Sequence, residues 1–297
     1  MRSARGSGLS RRTFLKLSVV GGLAARLAPD PSARPAIASN LPLPFPHRYF
    51  PDADAWLAHP QWDAYLAVFD VWLVPAYAAA TLIQRGALRA LTGERFAAPG
   101  RAHDPDGAFT LPYAYAVSAL LSGGAGPQSL ADLWRAEWQA DAVWPDAVRL
   151  VMGAALLRRG YSPNDAHSGH LAEIEKDLCA LRPRLAADPT GEVRRGAASL
   201  ALAPVTGLPA RAPGLTTVLP VEGALLIEYD WVIPSRTPNA TAALAFLRQA
   251  AKPAGIGESV TVRLAPLAPL PTEALARRAA IWARVCHASA TRPTKLG

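Results

Sequence analysis

Apolar runs closed by proline or glycine recur along the chain, and each is followed by residues at helical spacing. The fullest example is Glu222 to Leu247. Leu225 to Ile233 is a largely apolar, partly β-branched run ending at Pro234, which predicts a buried strand. A polar turn follows, and Pro238-Asn239 opens a helix with Asn239 placed to cap its first turn. Ala243, Phe246, Leu247 and Ala250 then recur at i, i+3, i+4 and i+7, so one face is apolar, and Pro253 ends the pattern. A buried strand feeding a helix is half of a βαβ unit.

The same grammar appears earlier. Phe69 to Pro75 predicts a strand, and residues 77–85 a helix closed by Gly86, with Leu82 and Ile83 inward. Residues 92–108 read as a surface loop and Phe109 to Leu121 as a strand that Gly123, Gly124 and Gly126 end. Ser129 to Trp134 predicts a short capped helix. Pro145-Asp146 opens a periodic helix with Val148, Val151, Met152, Ala155 and Leu156 inward and Gly160 as its stop. A helix over 168–181, a small-residue strand over 196–205, a Pro/Gly loop to about 217, a strand from Ser259 to Leu264 and a helix over 272–286 complete the pattern. Strands alternating with helices predict an α/β protein with parallel-type sheets flanked by helices.

Composition changes this picture chiefly at the front. Of the net charge of +8, residues 1–38 hold +6, from seven bases and Asp30, so only +2 remains for the rest. That leaves no basic face for nucleic acid. Ser10-Arg11-Arg12-Thr13-Phe14-Leu15-Lys16, the weakly apolar run Leu17 to Leu27 and Ala36-Ile37-Ala38 together form an export leader of the twin-arginine type with a small-residue cleavage pattern. Such leaders carry folded proteins across the bacterial inner membrane, so the expected mature chain starts near Ser39 in the periplasm. Residues 39–68, rich in proline and aromatics, read as an extended arm packed on a surface. Cys179 and Cys286 form no CxxC or zinc spacing; they either pair or remain two buried thiols.

Candidate chemistry is sparse. GxSxG, HExxH, P-loop and GxGxxG motifs are all lacking, so nothing invites an enzymatic reading, and no cofactor is implied. His167 and His170 without a third ligand make a poor metal site. The length of 297 residues accommodates one large core or two smaller ones.

Several stretches, in order, resemble the periplasmic substrate-binding proteins of ABC transporters, of the spermidine/putrescine-binding type. They are Phe69 to Leu91; Thr110 to Ala116, similar to the S-x-P-Y-x-W-G hinge strand; Ser129 to Trp134, similar to S-W-x-D-L-W; Asp146 to Asn164, similar to D-x-x-R-x-V with G-Y-S-P-N; and Glu222 to Leu247, similar to P-x-E-G with its following strand and helix. The resemblance covers about residues 69 to 250. It implies a two-lobed, type II periplasmic-binding-protein-like fold with a hinge and an inter-lobe cleft, a small-molecule solute and an inner-membrane ABC permease as partners. Lobe 1 would comprise 69–117 and 230–262, and lobe 2 118–229 and 263–297.

The departures concern the ligand. Polyamines need carboxylates and aromatic faces. The family's serine and tyrosine after Val-Pro fall on Ala76 and Ala78, with Tyr77 between them. Its paired acids reduce to Asp146, its cleft tryptophan falls on Pro204, and its W-x-D falls on Ile227 and Tyr229. A one-residue slip would put Asp230 in the cleft instead. Otherwise Glu228 and Asp230 face away as solvated acids at the sheet edge, and Asp146 serves as a helix N-cap. Tyr113 and Tyr115 either line the cleft at strand ends or pack at the hinge. The ligand-binding candidates are therefore Tyr77, Tyr113, Tyr115, Asp146, Tyr229 and Asp230, for a solute that need not be a polyamine. A divergent paralogue acting through protein contacts and a motif-less periplasmic enzyme are the alternatives.

Overall fold

The computed structural model describes residues 35–40, 43, 46–50, 52–59, 61–91, 101–206, 212–250 and 263–291. In chain order the elements are β1 (Ile37–Ser39), β2 (Arg48–Tyr49), α1 (Ala53–Leu57), α2 (Trp62–Val68), β3 (Val71–Pro75), α3 (Ala76–Gln84) and β4 (Thr110–Ser122). A 3-10 turn (Leu130–Trp134), α4 (Ala136–Gln139), β5 (Ala142–Pro145), α5 (Val148–Arg158), α6 (Ser168–Leu181), β6 (Arg184–Ala186) and α7 (Pro189–Arg194) follow. Then come β7 (Leu200–Thr206), β8 (Thr216–Val218), β9 (Ala224–Val232), α8 (Ala240–Ala250), β10 (Leu264–Pro266) and α9 (Thr272–Ala290). The chain divides into two compact units, Met1–Tyr113 with Tyr229–Pro253, and Ala114–Glu228 with Ala254–Gly297. Strands β4 and β9 each belong partly to both.

In the first unit β1 lies between β2 and β3, parallel to both, and β3 pairs antiparallel with β9 through Trp72↔Val232 to Pro75↔Tyr229. An aromatic core covers this sheet. Trp72, fully buried, stacks on Phe50 at 5.1 Å and meets Trp56 at 4.9 Å and Phe69 edge-on at 5.5 Å. The segment expected to be an extended surface arm is thus part of the fold. It holds helices at Ala53–Leu57 and Trp62–Val68, and its Phe50 and Trp56 pack against Trp72.

A second departure concerns the front of the chain. Residues 37–39, expected to straddle the end of the leader, are β1, with Ala38 and Ser39 fully buried. Residues 1–34, which carry the arginine pair and the apolar run, lie outside the described residues. Asp70, 1 % exposed, ties this front strand to the rest of the unit. Its Oδ2 accepts from the Ala36 N–H at 2.8 Å and from Asn239 Nδ2 at 3.3 Å, and its Oδ1 accepts from Thr237 Oγ1 at 2.8 Å. Thr237 Oγ1 in turn accepts from the Asn239 N–H at the entry to α8, so Asn239 meets Asp70 through its side chain.

In the second unit β9 lies beside β4, where the Leu225 N–H donates to Ser118 Oγ at 2.8 Å. Antiparallel β7, then parallel β5 and β6, extend the sheet on the other side of β4. The sheets are accordingly mixed, because β4 and β9 run against β7 and β3 respectively, where helix alternation alone predicts parallel neighbours. Helix α6 buries Leu171, Ile174, Leu178 and Leu181, and α9 buries Ile281, Trp282 and Val285. The turn at Gly223 needs glycine, since its φ is +116° and a Cβ there would sit 2.9 Å from the Arg263 carbonyl. Strands β5 and β6 and helix α7 were not foreseen; each is too short for periodicity to separate from a loop.

Trp72→Ala is expected to cost about 3–5 kcal/mol in urea unfolding followed by tryptophan fluorescence, the usual penalty for emptying a buried indole site. A loss below about 1 kcal/mol would mean that the four rings do not form the core of this unit.

Candidate functional site

Residues on β9 alternate between two faces, and in the first unit the two faces have different chemistry. Trp231 meets Tyr113 edge-on at 5.1 Å and Phe246 of α8 edge-on at 5.2 Å. Tyr229, on the same face, is buried, and burial followed by the neighbouring Tyr49 pushes its phenol well above the usual tyrosine range. It is neutral and cannot replace a carboxylate. Asp230 faces the other way and is fully buried, opposite Val74 in the sheet register.

A buried carboxylate needs counter-charge and donors. Asp230 finds both in the segment before β4. His103 Nε2 lies 2.8 Å from Oδ2 and Arg101 Nη1 lies 3.3 Å from Oδ1, with both side chains less than a tenth exposed. Against an ionised Asp230, which only accepts, His103 Nε2 carries the proton. The expectation of solvated acids at a sheet edge therefore fails for Asp230. So does the reading of 101–108 as a plain surface loop.

That loop is built around Asp104. Its Oδ1 accepts from the Ala108 N–H at 3.0 Å, and its Oδ2 from the Phe109 and Thr110 N–H groups at 2.9 and 2.8 Å and from Thr110 Oγ1 at 2.9 Å. Burial pushes the Asp104 carboxyl up, but the bonds from Phe109, Thr110 and Ala108 outweigh it and hold it below the ordinary aspartate range. Nothing local in the sequence joins His103 to Asp230, which is 127 residues away. The one available signal was Asp104 six residues before Thr110, since aspartate commonly closes a turn on following amides.

The remaining candidates are placed as follows. Tyr77 is buried in the first turn of α3, and its carbonyl accepts from Thr81 Oγ1. Tyr113 is half-buried on β4. Tyr115 is half-buried in the second unit against Val117, Ala224 and Leu226. Asp146 is half-buried after β5, its N–H donating to the Ala186 carbonyl at 3.1 Å. It is not the helix cap: α5 starts two residues later, at Val148, with Ala147 in the cap position and no side chain accepting there.

The motif residues of the second unit prove to be builders of scaffold. Glu222 accepts from Ser129 Oγ and from the Leu130 and Ala131 N–H groups, at 2.9 and 3.2 Å for the amides, and so seals the start of the 3-10 turn. Ser129 and Asp132 form a capping box on the same turn. Burial raises the Glu222 carboxyl, but the bonds from Ser129 and Leu130 prevail and hold it below the ordinary glutamate range. Arg149, 2 % exposed, donates to the Ala268 carbonyl, and Arg278, 1 % exposed, donates to the carbonyls of Pro163 and Asp165 at 2.9 and 2.7 Å. Cys179 and Cys286, on α6 and α9, are not joined by a disulfide. Among the described residues no group of three metal-ligating side chains occurs.

Together these features define an α/β scaffold of two units joined by long strands, of the type II periplasmic-binding-protein kind. Solved structures of that kind are similar to it. A protein from Listeria monocytogenes provisionally described as a spermidine/putrescine ABC transporter has a TM-score of 0.67 and 16 % identity, over 81 % of this chain and 90 % of its own. A spermidine/putrescine ABC transporter substrate-binding protein from Streptococcus pneumoniae has a TM-score of 0.58 and 17 % identity, over 82 % and 91 %. A periplasmic thiamin-binding protein has a TM-score of 0.56 and 16 % identity, over 80 % and 84 %. At these identities the likeness establishes the fold. In sequence, the chain is similar to the spermidine/putrescine-binding periplasmic protein of Escherichia coli (strain K12), 27 % identical over 187 residues, 59 % of this chain and 52 % of that protein. The protein of the same name in Salmonella typhimurium is 26 % identical over 162 residues, 50 % and 47 %. The chain thus spans about half the length of the curated relatives it matches. No family model matches it.

Asp230→Ala leaves Arg101 and His103 without their carboxylate and is expected to cost about 3–5 kcal/mol in denaturant unfolding, against much less for a distant exposed acid such as Glu273→Ala. An equal, small cost for both would show that Asp230 is not a buried counter-ion.

Acid should act through Asp104 and Glu222. Both are held below their unfolded values of roughly 3.9 and 4.3, so their stabilisation is complete above those values and is lost as pH falls through the lower folded ones. The melting temperature is expected to drop between about pH 5 and pH 2, and less steeply in the Asp104→Asn/Glu222→Gln double variant. Parallel curves would refute the assignment.

Proposed function

We propose that this chain is an exported solute-binding protein that delivers a small solute to an ABC permease in the inner membrane. The observation that carries the reading is the order of scaffold motifs on this fold. Ser129 to Trp134, Asp146 to Asn164 and Glu222 to Leu247 follow in the order of the resembling family's motifs, and the chain is 27 % identical over 187 residues to a spermidine/putrescine-binding periplasmic protein. The leader reading of residues 1–38 and the periplasmic naming of those relatives support export.

The solute is read as something other than a polyamine. Spermidine and putrescine carry ammonium groups that call for uncommitted carboxylates. In this chain Asp230 is paired with Arg101 and hydrogen-bonded to His103, Glu222 is spent on the 3-10 turn, and the position on which the resembling family's aspartate falls holds the neutral Tyr229. An ammonium group would have to displace an arginine from the fully buried Asp230. Half-buried Tyr113 in the first unit, and Tyr115 and Asp146 in the second, are proposed to face the solute, with Tyr77, Tyr229 and Asp230 supporting them. Aromatic hydroxyls and a single acid suit a neutral or singly charged molecule.

A thermal-shift panel of polyamines, amino acids, organic acids and vitamins tests this. A solute at about 100 times its Kd adds about 2.7 kcal/mol, a rise of roughly 5–10 °C for a domain of this size. Shifts are expected with a non-polyamine and not with spermidine or putrescine. A panel without any shift would favour the divergent paralogue that has lost binding. For the export route, the Arg11→Lys/Arg12→Lys variant is expected to stay in the cytoplasm while the unaltered chain reaches the periplasm in fractionation. Equal periplasmic amounts would dismiss the twin-arginine assignment.

A further inference from the structure

Ala36-Ile37-Ala38 has the small-residue spacing of a leader-peptidase site, yet the same residues are built into the sheet. Ile37, Ala38 and Ser39 pair in parallel register with Val71, Trp72 and Leu73, and Ala38 and Ser39 pair with Arg48 and Tyr49 on the other side. Ala38 and Ser39 have no exposed surface. The Ala36 carbonyl accepts from the Asp70 and Val71 N–H groups at 2.8 and 3.2 Å, and the Ala36 N–H donates to Asp70 Oδ2. The Ser39 carbonyl accepts from the Phe50 N–H at 2.8 Å, and the Asn40 N–H donates to the Leu73 carbonyl at 2.9 Å.

Cutting after Ala38 would remove the partner of the Asp70 and Val71 amides and the Ala36 N–H donor to the buried Asp70 carboxylate. It would also turn β3, an interior strand, into an edge over part of its length. Access points the same way. A peptidase needs several residues in an extended, unpaired form, and a strand hydrogen-bonded on both sides offers that only when the sheet opens. A protein exported in the folded state presents its leader to the peptidase with this sheet already formed.

We propose that the leader is removed on the amino-terminal side of Ala36, so that Ala36–Ser39 stay in the mature protein as its first strand and the Ala-Ile-Ala sequence is not the processing site. The inference rests on the export reading above. The hydrolysis is of one peptide bond by water, and the new amino terminus falls before the strand.

Intact-mass analysis of the chain recovered from the periplasm of an expressing bacterium tests it. The expected mass includes Ala36–Ser39; a mature chain that begins at Ser39 overturns the proposal. Hydrogen exchange on the purified, uncut chain gives a reading that does not depend on export. The amides of Ile37 to Asn40 are expected to exchange about 100-fold or more slowly than in an unstructured peptide, and exchange at the unstructured rate overturns the proposal as well. If the protein is never exported or cut, the export reading falls, and slow exchange still upholds the retained strand.

Discussion

A carboxylate in the middle of a fully buried strand sets the terms for the first unit. Asp230 lies between Tyr229 and Trp231 with no solvent to share its charge, and an ion in that position must be matched or it unfolds its surroundings. The match comes from Arg101 and His103, neither of which belongs to a regular element. They can serve only because Asp104 fastens their loop to the first residues of β4 through three amides and a hydroxyl. One buried acid therefore depends on a second, and both lie where β4 enters the sheet. Asp70 repeats the device at the other edge, where it joins residue 36, the start of β3 and the entry to α8.

The second unit uses its charged groups in the same way, toward main-chain atoms. Glu222 satisfies amides at the start of a 3-10 turn, and Arg149 and Arg278 satisfy carbonyls at the ends of loops. Fixing these connections holds the helices against the sheet. Asp70, Asp104, Glu222 and Asp230 are engaged in holding the chain together.

Long, periodic segments were legible in the sequence. The helix over 168–181 and the run before Pro234 carry enough repeats for the apolar face to declare itself, and Gly86 and Gly160 mark helix ends with φ of +62° and +78°. Short segments were not. Residues 142–145 and 184–186 become strands only because neighbours supply the missing hydrogen bonds. Residues 36–39 show the same limit, since Ala-Ile-Ala-Ser satisfies a cleavage pattern and a buried parallel strand equally well.

By itself, the sequence determined the α/β class and the longer elements. Those follow from local spacing and residue type, which act over a few turns or a few strand residues. Only the tertiary structure decided what the remaining charges do. Whether Asp230 faces solvent, a solute or an arginine depends on a loop more than a hundred residues away, and the free energy of a buried charge is set by what surrounds it in space.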